Sequence, residues 1–401
     1  MEGLTPLFEK RTSPGHFFEH PIHPMKKRIL VLGAGFGGLE LSTTLSEAFG
    51  DDIEVTLIDK SDHFVFGFSK LDVMFGHTTP DAVRLPYKKF AKPGVRLLQE
   101  RITVVDPVAK RVTTDQGTHE ADFLVVALGA DYDFDATPGM SEATEFYTVA
   151  GAVNLGRILP TFTRGRVLIA VCGAPYKCPP APSEAALMMH DYLTNRGIRD
   201  ACEIALILPL ETPVPPSPET SKALLAAFAE RNITFVADKE VRSVDTQRRI
   251  VTIDDGRTFP YDLFLGVPAH RAPKLLEESG MTVDGYVPAN PKTLETRFPG
   301  VYAIGDCARQ GTPKAGNFAE GAARAVAATL IARLRNQEVP VTHKGTGTCY
   351  IEFGAGRIGR VDVDFFSDPE GPTGTYYEPS AALRADKELF GSSRRARWFG
   401  L

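Results

Sequence analysis

Mostly apolar runs of four to six residues recur along this chain, most of them bounded by charged residues or glycine. They include Arg28-Ile-Leu-Val-Leu32, Glu54-Val-Thr-Leu-Ile58, Phe123-Leu-Val-Val-Ala127, residues 167–171, Glu203-Ile-Ala-Leu-Ile-Leu208 and Gly300-Val-Tyr-Ala-Ile304. Runs of that length without strict polar alternation read as strands covered on both faces, as in a parallel sheet. Arg101-Ile-Thr-Val-Val105 and Arg111-Val-Thr-Thr114 read as further strands. Helical periodicity fills the gaps: Leu41, Leu45 and Ala48 after the first run, residues 183–193 after the run at 167–171, and an Ala-rich stretch to about Leu334. This alternation predicts the α/β class, with two Rossmann-like three-layer domains. The first is expected at 26–147 and 273–340, the second inserted in it at 148–272. Residues 341–401 read as a C-terminal segment and 1–25 as a mobile extension, because Met25-Lys-Lys immediately precedes the first run.

Composition narrows the function classes. A chain of 401 residues supports more than one core, and 43% hydrophobic with 24% charged residues is ordinary for a soluble globular protein. A net charge of −5 argues against a nucleic-acid partner. Five cysteines do not read as a secreted disulfide framework, yet they leave room for a redox-active pair. The first 25 residues carry no apolar core of a signal peptide, and no run of 18 apolar residues occurs. A cytoplasmic location follows as the expectation, with peripheral attachment to the inner face of the cytoplasmic membrane left open.

Gly33-Ala-Gly35-Phe36-Gly37-Gly38 lies between the first strand and its helix, the context in which G-x-G-x-x-G binds a dinucleotide. Gly33 makes the tight turn, Gly35 admits the pyrophosphate, and Gly38 lets helix and strand pack closely. Asp59 ends the second strand 21 residues beyond Gly38, near the spacing of a ribose-binding carboxylate. Lys60 beside it and Ile102 in a later strand complete the candidates for the adenine half. His63-Phe-Val-Phe-Gly67-Phe-Ser-Lys70 is an aromatic loop that suits either an apolar ring system or an ordinary core. The middle lobe turns at Cys172-Gly-Ala-Pro-Tyr-Lys177-Cys178, where a nicotinamide-binding lobe would carry a second glycine fingerprint. Its next strand ends in Pro209-Leu210, where no ribose carboxylate is available. NADH is therefore not expected as the direct reductant.

The strand ending in Gly305-Asp306, the Leu128-Gly129-Ala130 turn and the first fingerprint together resemble the two-dinucleotide-binding-domain flavoproteins, the disulfide reductases and their relatives. The resemblance implies FAD, with Asp306 on its ribityl chain, Ala127 and Gly129 in a second FAD motif, and residues 341–401 covering the flavin. The helix opening near Gly316 would aim its positive end at the flavin N1–C2=O edge, with Lys314 adding a full charge unless it is simply a solvated lysine. Tyr176-Lys177-Cys178-Pro-Pro-Ala-Pro-Ser-Glu184, with Thr348-Cys349-Tyr350, looks like sulfide:quinone oxidoreductase and the flavoprotein subunit of flavocytochrome c sulfide dehydrogenase. That likeness spans roughly residues 27–360, and Lys-Cys-Pro-Pro is its most specific part.

It implies a redox disulfide between Cys178 and Cys349, a sulfide-like donor, transfer through FAD and a quinone acceptor. Lys177 and Glu184 become candidates for tuning the thiols and moving protons, with a helix-capping role for Glu184 as the alternative. The chain also departs from the pattern. No cysteine lies near Gly67, so FAD is expected to be non-covalent, and no Cys-x-x-Cys-His occurs for haem. The third cysteine of some quinone-linked members has no equivalent, which bears on sulfur-chain growth and on sulfide itself as the donor. Cys172, Cys202 and Cys307 read as buried, inert thiols. The tail, with Arg394, Arg395, Arg397, Trp398 and Phe399, suits a membrane surface, the two rings dipping into the interface, or a contact on its own protein or in a homodimer. A type II NADH:quinone dehydrogenase and a non-catalytic flavin-binding redox sensor are the competing readings.

Overall fold

The computed structural model describes residues 1, 26–340 and 343–401, so the extension expected at 1–25 lies almost wholly outside the described residues. Its first sheet has five parallel strands in the order Val301–Ala303, Phe123–Val126, Arg28–Leu32, Glu54–Asp59 and Val95–Gln99. Residues 29–32 are at most 1% exposed, as a strand covered by helices on both faces requires. The chain then builds a second parallel sheet, ordered Ile233–Val236, Cys202–Ile207, Gly165–Val171 and Leu263–Val267, before returning to add Val301–Ala303 to the first. The second lobe is thus inserted in the first. An antiparallel pair, Asp131–Asp133 with Ala269–Arg271, joins the outgoing and returning chain.

Two strands escape the apolar-run pattern, Val95–Gln99 and Ile233–Val236. Both are sheet edges with partly exposed side chains, unlike the opposite edges Val301–Ala303 and Leu263–Val267, which are buried throughout. The segment 101–105 instead belongs to a separate antiparallel sheet, Ile102–Asp106, Arg111–Thr114 and Thr118–Glu120. The helix after the thiol turn runs Ala181–Asn195, two residues longer at each end than the sequence pattern indicates, because Pro182 is tolerated in the first turn.

The C-terminal segment forms an antiparallel sheet of Thr346–Glu352, Ile358–Asp364 and Thr373–Ser380. Its inward residues Ile351, Phe353, Val361 and Val363 share one hydrophobic core with Ala185, Ala186 and Met189 of the thiol helix and with Phe318. Phe318 lies in the first turn of the helix Gly316–Leu334. The sheet is therefore packed on both the thiol helix and the helix expected to face the flavin.

Of the contacts expected for the tail, the structure shows the one on its own protein. Helix Ala382–Arg394 leads into a last turn in which Trp398 is fully buried and Phe399 is nearly so, among Phe36, Phe64, Phe66 and Phe90. The two rings dip into the protein's own core, not a lipid interface, because buried carboxylates on two helices hold the neighbouring arginines. Among the described residues, no helix is long and apolar enough to cross a membrane.

Two glycines of the first turn are fixed by contact. Gly33 has φ +98°, and a β-carbon there would lie 2.4 Å from the Ala127 carbonyl oxygen; one at Gly38 would lie 1.9 Å from that of Gly33. Helix and strand approach backbone to backbone. Gly38→Ala is expected to force them apart, costing about 2 kcal/mol or more of stability, read as a lower urea midpoint and loss of the cofactor on purification.

Candidate active site

A cavity of about 330 Å³ opens at the carboxyl ends of the first sheet, beside the thiol turn. That is the position and size of a small-molecule site in an open α/β sheet. Ten of the residues singled out from the sequence line it: Gly35, Phe36, Gly37, Ala127, Gly129, Lys177, Cys178, Glu184, Asp306 and Lys314. Gly33 and Gly38 stand behind them as packing glycines. Gly35 and Gly129 would carry a β-carbon into open space, with nothing within 4 Å. Bare backbone therefore borders the cavity at the N-terminus of helix Phe36–Phe49, as a pyrophosphate cradle requires. The site fits a flavin dinucleotide.

Three expected residues lie elsewhere. Asp59 is not in the cavity wall; its carboxylate accepts from the Ala34 amide at 2.7 Å and the Ser61 amide at 2.8 Å, bracing the glycine loop. Lys60 is exposed at the strand end, and Ile102 is half-buried outside the cavity, though Glu100 N–H donates to the Asp59 carbonyl at 3.0 Å and keeps that segment adjacent.

The cavity floor is a charge cluster. Asp306 is surrounded by protein, and burial pushes its carboxyl up while Lys177, Lys314 and Lys70 pull it down. Lys314 donates to the Asp306 carbonyl at 2.7 Å and lies 3.6 Å above the Tyr286 ring; burial lowers its ammonium to about 8. Lys177 donates to the Ala130 carbonyl at 2.8 Å and sits 4.0 Å over Tyr132. Its ammonium is directed at the floor rather than at the thiol.

Cys178 has φ +51°, a left-handed conformation that costs a non-glycine residue about 1 kcal/mol or more. Its amide donates to the Lys314 carbonyl at 2.8 Å, its carbonyl accepts from Ala181 at 2.9 Å, and Lys177 and Lys314 pair as a parallel bridge. These bonds hold the thiol in the cavity wall. Cys349 sits in strand Thr346–Glu352, half-buried on the same core and outside the cavity lining. All five cysteines are free thiols; Cys172, Cys202 and Cys307 are buried.

Glu184 links the two thiol-bearing elements. It lies in the first turn of the thiol helix, and its Oε1 accepts the Glu352 amide of the Cys349 strand at 3.0 Å. Burial raises its carboxyl to about 7, against the pull of Lys387. Burial raises both thiols as well, Cys349 to about 12; Glu184 adds to each, and Cys349 adds to Cys178.

Sequence reasoning did not assign a role to Lys70 or Lys387. Lys70 lines the cavity from helix Ser69–Met74, donates to the Tyr147 carbonyl, and is the cation that opposes the rise of Cys178; burial, then Lys177, lower it to about 8. A lone lysine closing an aromatic loop was the available signal. Lys387 pairs with Glu352 from the tail helix, a contact 35 residues long in sequence that no local pattern announces.

Two dinucleotide-type lobes, a bare-glycine cradle and a cysteine in the cavity wall define a two-lobed flavoprotein. The chain belongs to the pyridine nucleotide-disulphide oxidoreductase family, whose sequence profile matches residues 27–329. It is an oxidoreductase, and membership implies a flavin cofactor. Among curated relatives, the mitochondrial sulfide:quinone oxidoreductase of Mus musculus is 24% identical over 360 residues, 85% of this chain and 79% of that protein. The sulfide-quinone reductase of Aquifex aeolicus is 26% identical over 375 residues, covering 86% and 84%. The solved sulfide:quinone oxidoreductase of Aquifex aeolicus superposes with a TM-score of 0.79 at 22% identity, covering 92% of this chain and 91% of that one. NDH2 from Plasmodium falciparum, solved with NADH, gives 0.70 at 14% identity.

Because an ionised Glu184 opposes both thiolates, Glu184→Gln is expected to lower both thiol pKa values. Iodoacetamide labelling of the reduced protein, followed from pH 6 to 9, is expected to run several-fold faster in the variant above about pH 7, where the native carboxyl ionises. Equal rates across that range would remove Glu184 from thiol control.

Proposed function

We propose that this chain is an FAD-dependent enzyme of the sulfide:quinone oxidoreductase type, with FAD bound non-covalently. It oxidises sulfide or a related sulfur donor through a Cys178–Cys349 disulfide and passes the electron pair to a quinone. The observation that carries this reading is the bridge of the thiol turn to Lys314, which sets Cys178 in the wall of a cavity bordered by the glycine cradle.

In the oxidised enzyme, hydrosulfide attacks the Cys178 sulfur, the S–S bond breaks, and Cys349 leaves as a thiolate while Cys178 keeps a persulfide. A thiol whose pKa is about 12 does not remain ionised, so the leaving Cys349 needs a proton or a nearby charge. Glu184, with its carboxyl near 7 and its charge felt by both thiols, is the acid for that proton. Lys70 supports the anionic form of Cys178 from across the cavity, and Lys177 with Lys314 holds positive charge at the floor. Transfer of the outer sulfur from the Cys178 persulfide to a sulfur nucleophile, such as a thiol or a second hydrosulfide, leaves both cysteines as thiols. FAD bound beside them would supply the two-electron acceptor that lets Cys178 and Cys349 re-form their disulfide, and would hand the pair on to the quinone. Asp306 and the helix opening at Gly316 would hold its ribityl chain and N1–C2=O edge. A lipid-soluble acceptor places the enzyme at a membrane surface, and the burial of Trp398 and Phe399 requires that contact to use another face.

An NADH-driven reaction is disfavoured by the middle lobe, whose turn after Gly165–Val171 presents cysteine and prolines in place of a glycine fingerprint. Anaerobic mixing separates the readings. Sulfide is expected to bleach the flavin absorbance, and added quinone analogue to restore it; bleaching by NADH alone would overturn the assignment. Cys178→Ser and Cys349→Ser are each expected to lose sulfide-driven bleaching while retaining FAD. Full activity in either variant would sink the pair. Lys70→Met removes a cation that opposes the rise of Cys178 and so raises that thiol further; labelling of Cys178 at pH 7, where Lys70 is mostly charged, is expected to slow several-fold, and Lys70→Arg to restore it.

A further inference from the structure

The last turn of the chain is bound by contacts that the thiol chemistry does not use. Arg397 Nε and Trp398 Nε1 both donate to Glu40 Oε2 at 2.9 Å, and Arg397 also reaches Glu47 at 2.7 and 3.0 Å. Arg394 clamps Glu320 with Nε at 2.9 Å and Nη2 at 2.8 Å. Arg324 ties the two carboxylates together, at 2.7 Å to Glu40 and 3.1 Å to Glu320. Glu40 is 1% and Glu320 0% exposed. A buried carboxylate deprived of its partners is strongly unfavourable, so the guanidiniums of the tail are needed where they are.

Both carboxylates stand about one turn from a helix N-terminus that borders the cofactor cavity. Glu40 follows Phe36 in the fingerprint helix, and Glu320 follows Gly316 in the helix behind Asp306. Trp398 meets Phe36 and Phe64 edge-on, with centroids 5.7 and 5.6 Å away, and stacks on Phe66 at 6.4 Å. Phe36 and Phe64 themselves line the cavity. Phe36 also presses on Gly316, where a β-carbon would be 2.7 Å from its ring. Trp398 therefore lies one residue behind the cavity wall, and the tail arginines hold the two helices that border the cavity.

We propose that residues 394–399 act as a strap that builds the FAD site. Its docking keeps Phe36 and Phe64 in the cavity wall and fixes the spacing of the two helix N-termini. FAD binding and strap docking consequently strengthen each other by the same factor, as linkage requires. Trp398, Arg397 and Arg394 are positioning residues in this scheme. The inference rests on the flavin reading, and it makes flavin retention depend on a terminal segment that modification or proteolysis could release.

The test uses the full chain. FAD is removed and titrated back, with affinity read from flavin fluorescence, for wild type, Trp398→Ala, Trp398→Phe and Arg397→Lys. In parallel, trypsin cleavage at the C-terminal arginines is timed with and without FAD. Trp398→Ala is expected to weaken FAD at least tenfold, Trp398→Phe and Arg397→Lys by clearly less, and FAD is expected to slow tail cleavage in wild type. Because bound FAD also stabilises the whole fold, the readout is the slowing of tail cleavage beyond that at an exposed second-lobe site such as Arg248, an excess that a merely structural tail would not give. Unchanged FAD affinity in Trp398→Ala, or slowing of tail cleavage by FAD no greater than at Arg248, would overturn the strap. A wild-type chain that binds no FAD would overturn the flavin reading itself, a result separable from the other two.

Discussion

The structure depends on a short backbone ladder between two distant segments. Cys178 donates its amide to the Lys314 carbonyl, and Lys177 pairs with Lys314 as a parallel bridge. One partner belongs to the turn after the second lobe's central strand, the other to the approach to helix Gly316–Leu334 in the first lobe. Without that ladder the thiol turn would have no reason to face the cofactor cavity. With it, Cys178 is held in a left-handed conformation whose strain the surrounding bonds overdetermine. The constraint also explains the prolines of the turn: stiff φ angles limit the alternatives the loop would otherwise sample in the unfolded and undocked states.

Charge in the cavity follows from burial. Three lysines converge on a single carboxylate, Asp306, and two of them have their ammonium groups lowered to about 8. A cavity with that imbalance favours anions, which suits an anionic sulfur donor and an electron-rich reduced ring alike. On the other side of Cys178, Glu184 works in the opposite sense, holding both thiols protonated when it is ionised. The site therefore sets a cation and an acid on either side of one sulfur, a division by environment that lets neighbouring groups carry different protonation states.

Much of this was legible in the chain, for a physical reason. Strands buried on both faces have nowhere to place a polar residue, so they stand out as apolar runs, the edge Val301–Ala303 among them, whereas the partly exposed edge Val95–Gln99 does not. The glycine spacing, Asp306 and the Lys-Cys-Pro-Pro turn point at one cavity because each answers a local backbone need. What local patterns could not convey is docking between segments. Asp59 has the spacing of a ribose ligand, yet its carboxylate is engaged with the Ala34 and Ser61 amides. The Arg-Trp tail has a composition equally suited to lipid, and only the buried Glu40 and Glu320, each in an apolar helix, decide for the protein core. A carboxylate embedded in such a helix was the signal to read, since it demands a partner from elsewhere.

Strand register gives the C-terminal segment its meaning. Gly347, Cys349, Ile351 and Phe353 alternate onto one face, and the antiparallel pairing of Cys349 with Val361 fixes that face toward the thiol helix. A slip of one residue would turn Cys349 outward and remove the Glu352 amide from Glu184, so both thiol partners would be lost in a single error. Gly347 guards against it: a β-carbon there would stand 2.6 Å from the Phe318 ring, which can approach only a bare backbone. Phe318 in turn lies in the first turn of the helix whose entry is bridged to the thiol turn. Cys349, Glu184 and the helix that borders the cavity are thus placed by the same packing, which brings together residues far apart in the chain.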